Sequence, residues 1–199
     1  MRKLLLIFVS LFLACISFAQ SNEVTSVSHL KFKGIPINGT PDEFGAKLQQ
    51  AGFSFYFQID DGSKWYKGNF AGYNNCDVVV KANGELVYEI VVLFPEDYSW
   101  GQLYNTYSSI KDMLTTKYGE PLFCKEKFEN TPSYINIDDD NDKFSEVKDN
   151  HCRYYTAFAT MKDGLGNIYL EIKSTGRVGL HYTDFLNNKK KESSAINDL

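Results

Sequence analysis

Hydrophobic and polar positions fall into two repeating patterns along this chain. Residues 29–34 alternate, with Leu30 and Phe32 on one face, and predict a strand. A helix signal follows at Thr40-Pro41-Asp42-Glu43. Thr40 suits the N-cap, Pro41 the first helical position, and Glu43 completes a capping box. Phe44, Leu48 and Ala51 then share a face, and Gly52 stops the helix. Residues 53–59 and 64–70 flank Asp61-Gly62 and predict one hairpin. Residues 77–82 and 85–94 flank Asn83-Gly84 and predict another, because both central residues tolerate positive φ. The last of these strands is apolar on both faces and belongs near the centre of a sheet.

The pattern then restarts. Ser99 to Gln102 is a second capping box. Leu103, Tyr107, Ile110, Leu114 and Tyr118 follow at helical spacing, and Gly119 and Pro121 end the helix. Strands are predicted at 122–128, 152–161, 167–174 and 178–183, with turns at Asp163-Gly164 and Thr175-Gly176. The expected fold class is α+β: two helix-plus-antiparallel-strand units forming a two-layer sheet/helix sandwich. The units span about 29–97 and 98–186 within one domain over 20–186. Residues 187–199, without apolar period, predict a flexible tail.

The first nineteen residues stand apart. Arg2 and Lys3 precede an apolar run from Leu4 to Ala19, and Ser17-Phe18-Ala19 places small residues where a signal peptidase reads. A signal peptide over 1–19 predicts a periplasmic or extracellular protein with no transmembrane segment in the mature chain. A second reading makes Cys15 a lipid-anchored N-terminus, although Leu13 is bulkier than a lipobox favours. Without those nineteen of the 199 residues, 180 remain, carrying 19 basic and 25 acidic side chains. That acidic balance lacks the electrostatic footprint of a nucleic-acid binder.

Three segments bear on chemistry. The stretch 136–152, NIDDDNDKFSEVKDNHC, holds six acidic residues. Asp138, Asp140 and Asp142 match positions 1, 3 and 5 of a calcium loop, with Asp149 at position 12. Lys143 occupies the position that needs glycine, however, and Asp149 is too short for the bidentate ligand. The stretch reads as a solvated acidic loop joining two strands, and no metal is expected. Cys124 and Cys152 flank that loop and are the candidate disulfide, leaving Cys76 as core filler. His29, His151 and His181 share no metal-ligating or catalytic spacing. No catalytic residue and no cofactor is expected.

The third segment, KWYKGNFAGYNN, supplies the ligand-binding candidates Trp65, Tyr66 and Tyr73, because exposed Tyr and Trp offer rigid area with a polar handle. The competing reading packs these rings beneath the helices. Trp100 is expected to pack on the preceding strand.

FKGIPINGTPDEFGAKLQQAGF, YEIVVLFPED and the closing KYGEP resemble a group of uncharacterised exported proteins of Bacteroides-type bacteria, over about residues 30–125. The layout is also similar in shape to the tandem units of beta-lactamase-inhibitor-like proteins. Neither resemblance implies an activity. The expected function is an exported, non-catalytic binding or interaction module for a protein, peptide or glycan. The alternatives are a small envelope or polymer hydrolase, and a structural or assembly factor that uses a sheet edge.

Overall fold

The computed structural model describes residues 28–160 and 164–189. The predicted signal segment, Cys15 and the tail beyond 189 lie outside the described residues. The fold combines helices with a large antiparallel sheet and a small one. A two-stranded hairpin, β1 (Lys31–Phe32) and β2 (Ile35–Pro36), precedes α1 (Pro41–Gln50). Then come β3 (Ser54–Gln58), β4 (Lys64–Phe70), β5 (Tyr73–Asn83) and β6 (Leu86–Leu93). Next are α2 (Trp100–Tyr118), β7 (Phe123–Phe128) and α3 (Asp140–Lys148). The chain closes with β8 (Cys152–Ala159), β9 (Gly166–Lys173) and β10 (Arg177–Asp184). The eight long strands form one sheet in the order β3-β4-β5-β6-β10-β9-β8-β7.

Local chemistry accounts for the helix starts. Thr40 Oγ1 accepts the Glu43 N–H at 3.2 Å while Glu43 Oε2 accepts the Thr40 N–H at 3.0 Å, the reciprocal box the sequence predicts. Ser99 Oγ accepts the Gln102 N–H at 3.3 Å at the start of α2. Burial then selects one face of each helix: Phe44, Gly45 and Leu48 on α1, and Trp100, Leu103, Thr106, Tyr107, Ile110 and Leu114 on α2. These residues join Val78, Val80, Ile90, Val92, Ile168, Leu170, Leu180 and Tyr182 in one core cluster. Each fully buried Leu, Ile or Phe contributes roughly 1.5–3 kcal/mol relative to exposure.

Four expectations are corrected. The acidic stretch is not a loop: Asp139 caps α3, its carboxylate accepting the N–H groups of Asn141 at 2.8 Å and Asp142 at 3.1 Å. Asp140 and Asp142 sit in the first turn and Lys148 in the last, which complements the helix dipole. The aspartates act as cap and dipole partners, and α3 buries Val147 under the protein.

The Cys124–Cys152 bond is not formed. Cys124 pairs with Thr156 and Cys152 with Phe128, four residues further along the same ladder. At about 3.3 Å per residue that is roughly 13 Å, beyond disulfide reach. Both thiols are free, as is Cys76.

The tail does not begin at 187. Asn187 is 1% exposed and its Nδ2 donates to the carbonyls of Val87 (2.8 Å) and Ile37 (3.2 Å). The β5–β6 turn is displaced by one residue. Asn83 pairs with Leu86, so Gly84 and Glu85 form the turn, with Gly84 at φ 60°.

Candidate functional site: the sheet face opposite the helices

Alternation along the strands divides the sheet into a helix side and an opposite side. The helices α1 and α2 and the Phe32 hairpin join the first in the core cluster, and α3 packs on α2. The second side carries one residue from each strand in a continuous row: Phe57, Trp65, Val79, Val91, His181, Tyr169, Ala157 and Phe123.

Aromatic rings occupy both ends of that row. Phe57 stacks on Trp65 with centroids 5.2 Å apart, and Tyr56 meets Phe57 edge-on at 4.9 Å. Phe123 stacks on Tyr155 at 5.6 Å, and Tyr155 leads through Tyr169 to His181, each step 5.8 Å. The indole Nε1 of Trp65 is buried and has no hydrogen-bond partner.

A charged cluster sits at the centre. His181 Nδ1 lies 2.9 Å from Glu89 Oε1 and its Nε2 lies 3.2 Å from Glu171 Oε1. Lys81 reaches Glu89 at 2.9 Å and Lys173 reaches Glu171 at 2.6 Å. Glu89 on β6 and Glu171 on β9 are diagonal neighbours of His181, so register alone brings them together.

Burial raises Glu89, but hydrogen bonds from His181 and Lys81 outweigh it and hold the carboxyl at about 2. Glu171 is also lowered; burial opposes the shift, and His181 and Lys173 supply it. Burial lowers His181, but its bonds to Glu171 and Glu89 raise it overall. Below its raised folded value the ring is an imidazolium that donates from both nitrogens to the two carboxylates. In that form it has no lone pair with which to act as a base.

The ligand-binding candidates are not brought together. Trp65 lies on the row opposite the helices. Tyr66, the next residue, points to the helix side, is 3% exposed and joins the core cluster. Tyr73 is half-buried and packs edge-on against Phe94 at 5.1 Å. Gly68 makes room for Phe53, whose ring would lie 2.4 Å from an added Cβ. The Trp100 ring packs against Tyr104, Phe128 and Tyr154.

Sequence reasoning passed over Glu89 and Glu171 and set His181 aside for its lack of a ligating or catalytic spacing. Glu89 carried a signal, as the one charged residue of the otherwise apolar strand LVYEIVVL; Glu171 and His181 sit among other polar residues on their strands and carried none. Among the described residues, no three His, Cys, Asp or Glu side chains are grouped as a metal site requires. No helix there is long and apolar enough to cross a membrane.

The two ends of the sheet differ. At one end β3, SFYFQ, is exposed at every position, with Phe55 at 47%, Tyr56 at 59% and Phe57 at 37%. A register shift between Phe55 and Phe57 marks a bulge there. At the other end β7, FCKEKF, carries Lys125, Glu126 and Lys127. Lys125 and Lys127 bind Glu129 at 2.9 and 2.7 Å. Charge is a usual guard of a sheet edge, and β3 lacks it.

Scans against protein-family models, curated proteins and solved structures each give no match to this chain.

Proposed function

We propose that this protein is an exported, non-catalytic interaction module that takes up an extended segment of a protein or peptide partner along β3. The observation that carries this reading is an edge strand of five residues, exposed throughout, that presents three aromatic side chains. A free edge offers backbone donors and acceptors to an added strand, and neighbouring rings give that strand side-chain contacts. The bulge at Tyr56 breaks the ladder, which favours a short peptide over open-ended stacking of copies. The stacked Phe57–Trp65 pair extends the contact surface onto the sheet face.

Export rests on the predicted signal segment. Each helix-plus-four-strand set is a related unit in a two-layer sandwich, joined where β6 meets β10. That leaves β3 and β7 at the two outer edges.

Hydrolysis is the weaker reading. The central carboxylates are each bound to a lysine as well as to His181, and that ring has no free nitrogen.

The test is an array of extended peptides probed with the mature protein, followed by hydrogen exchange on the hits. Strand addition protects the backbone amides of residues 54–58, and Phe57→Lys weakens binding while unfolding is unchanged. Hits that leave those amides unprotected, selective binding on a parallel glycan array, or turnover of an envelope polymer would each overturn the proposal.

A further inference from the structure

On the helix side, away from β3, lies a second feature. A cleft of about 210 Å³ opens between α2, the β1–β2 hairpin and the β4–β5 turn. Its walls are apolar: Phe70, Ile110, Met113, Leu114, Leu180 and Tyr182. Ile110, Leu114 and Leu180 are nearly buried, whereas Met113 is 50% exposed and forms part of the opening. Among the described residues the remaining lining is Ala71 and three lysines, Lys31, Lys33 and Lys117, with no carboxylate.

The turn geometry does not account for Lys33. Lys33-Gly34 and Ala71-Gly72 are two-residue turns with φ of 48° and 80°, and 51° and 86°. Those values are near the type I′ geometry that strand twist favours. Lysine gains nothing from a left-handed backbone, where asparagine or glycine is the usual choice. Among the described residues neither Lys31 nor Lys33 has a carboxylate within salt-bridge distance; Lys33 Nζ lies 5.4 Å from the Phe53 ring centroid.

We propose that this cleft binds a small amphipathic carboxylate, with its hydrocarbon against Ile110, Met113 and Leu114 and its charged end at the lysine rim. An apolar slot with a few charged groups at its mouth is the usual form of a small-ligand site. Its volume equals about seven waters at roughly 30 Å³ each, which suits an unbranched chain of about eight carbons. The rim selects an anion over a neutral or cationic head of the same length.

Octanoate, octanol and octyltrimethylammonium, titrated into the mature protein by calorimetry with amide NMR, test this directly. Octanoate is expected to bind and shift resonances of Ile110, Met113 and Leu114. Octanol binds roughly tenfold more weakly, and the cation does not bind. Raising salt weakens octanoate and leaves octanol unchanged. Met113→Trp, which fills the opening, abolishes binding. Lys33→Asn keeps the turn and, combined with Lys31→Gln, reduces octanoate affinity to that of octanol. Thermal unfolding of both variants confirms that they fold. Equal affinity for octanoate and octanol, undiminished binding by folded Met113→Trp, or no octanoate binding at millimolar concentration overturns the assignment.

Discussion

The Nδ1 of His181 sits 2.9 Å from Glu89 Oε1, joining two central strands on the face away from the helices. With Glu171 on the other nitrogen, this ties protonation to stability. His181 is raised in the folded state, so its contribution is complete below its unfolded value near 6.5 and is lost as pH rises through the folded value. Glu89 and Glu171 are lowered, so theirs is complete above about 4.5 and is lost as pH falls through their folded values, about 2 for Glu89. The cluster therefore stabilises most between about pH 4.5 and 6.5. Denaturant unfolding of the wild type should lose about 1–3 kcal/mol more than His181→Gln between pH 6 and pH 9. Parallel pH profiles for the two proteins would show that the cluster adds nothing.

Asp184 is fully buried and accepts the N–H groups of Leu30 at 2.7 Å and Asn187 at 2.9 Å. His29 Nδ1 lies 3.1 Å from the same carboxylate. One side chain thus ties the end of β10 to the first described strand. Asp184→Ala leaves two buried N–H donors without their acceptor and should cost about 2–5 kcal/mol in unfolding free energy. Hydrogen exchange should show the loss first at Leu30 and Asn187. A cost under about 0.5 kcal/mol would refute this role.

Gly45 on α1 faces the Tyr66 hydroxyl so closely that an added Cβ would lie 2.0 Å from the oxygen. Alanine normally favours a helix over glycine by about 1 kcal/mol. Here Gly45→Ala should instead destabilise by about 1–3 kcal/mol through overpacking. Tyr66→Phe removes the obstructing atom, so the double variant should recover most of that loss. Additive effects in the double-mutant cycle would place the ring elsewhere.

Burial separates the cysteines by reactivity. It pushes the Cys76 thiol up to about 11 and that of Cys152 up to about 12, whereas Cys124 is exposed. A thiolate reagent at pH 8 should modify Cys124 rapidly in the native protein, and Cys76 and Cys152 only on unfolding. Mass mapping of the labelled peptides checks this. Failure to label Cys124 without reductant, with labelling restored by reductant, would mean that it is oxidised.

Short-range signals were the legible part of this protein. Thr40 and Ser99 are read correctly as caps because a capping bond spans only three residues. The strands follow because period-two alternation needs no partner to be visible. The same directness misled at Asp139: an aspartate written among other aspartates suggests a solvated or ion-binding loop, yet this one closes the first turn of a helix. The ligand-binding candidates failed for a related reason. Trp65 and Tyr66 are adjacent in sequence, and adjacency in a strand puts side chains on opposite faces.

By itself the chain determined the starts of α1 and α2, its antiparallel hairpins and its acidic, globular character, all set by interactions among near neighbours. Tertiary structure alone decided which polar residues meet. Strand register carried Glu89, His181 and Glu171 together from positions up to 92 residues apart and left Cys124 and Cys152 four positions out of step. It also placed the aromatic β3 at an edge. Register is a property of the assembled sheet: moving a strand by one residue exchanges its two faces, and no single strand records which alignment its neighbour adopts.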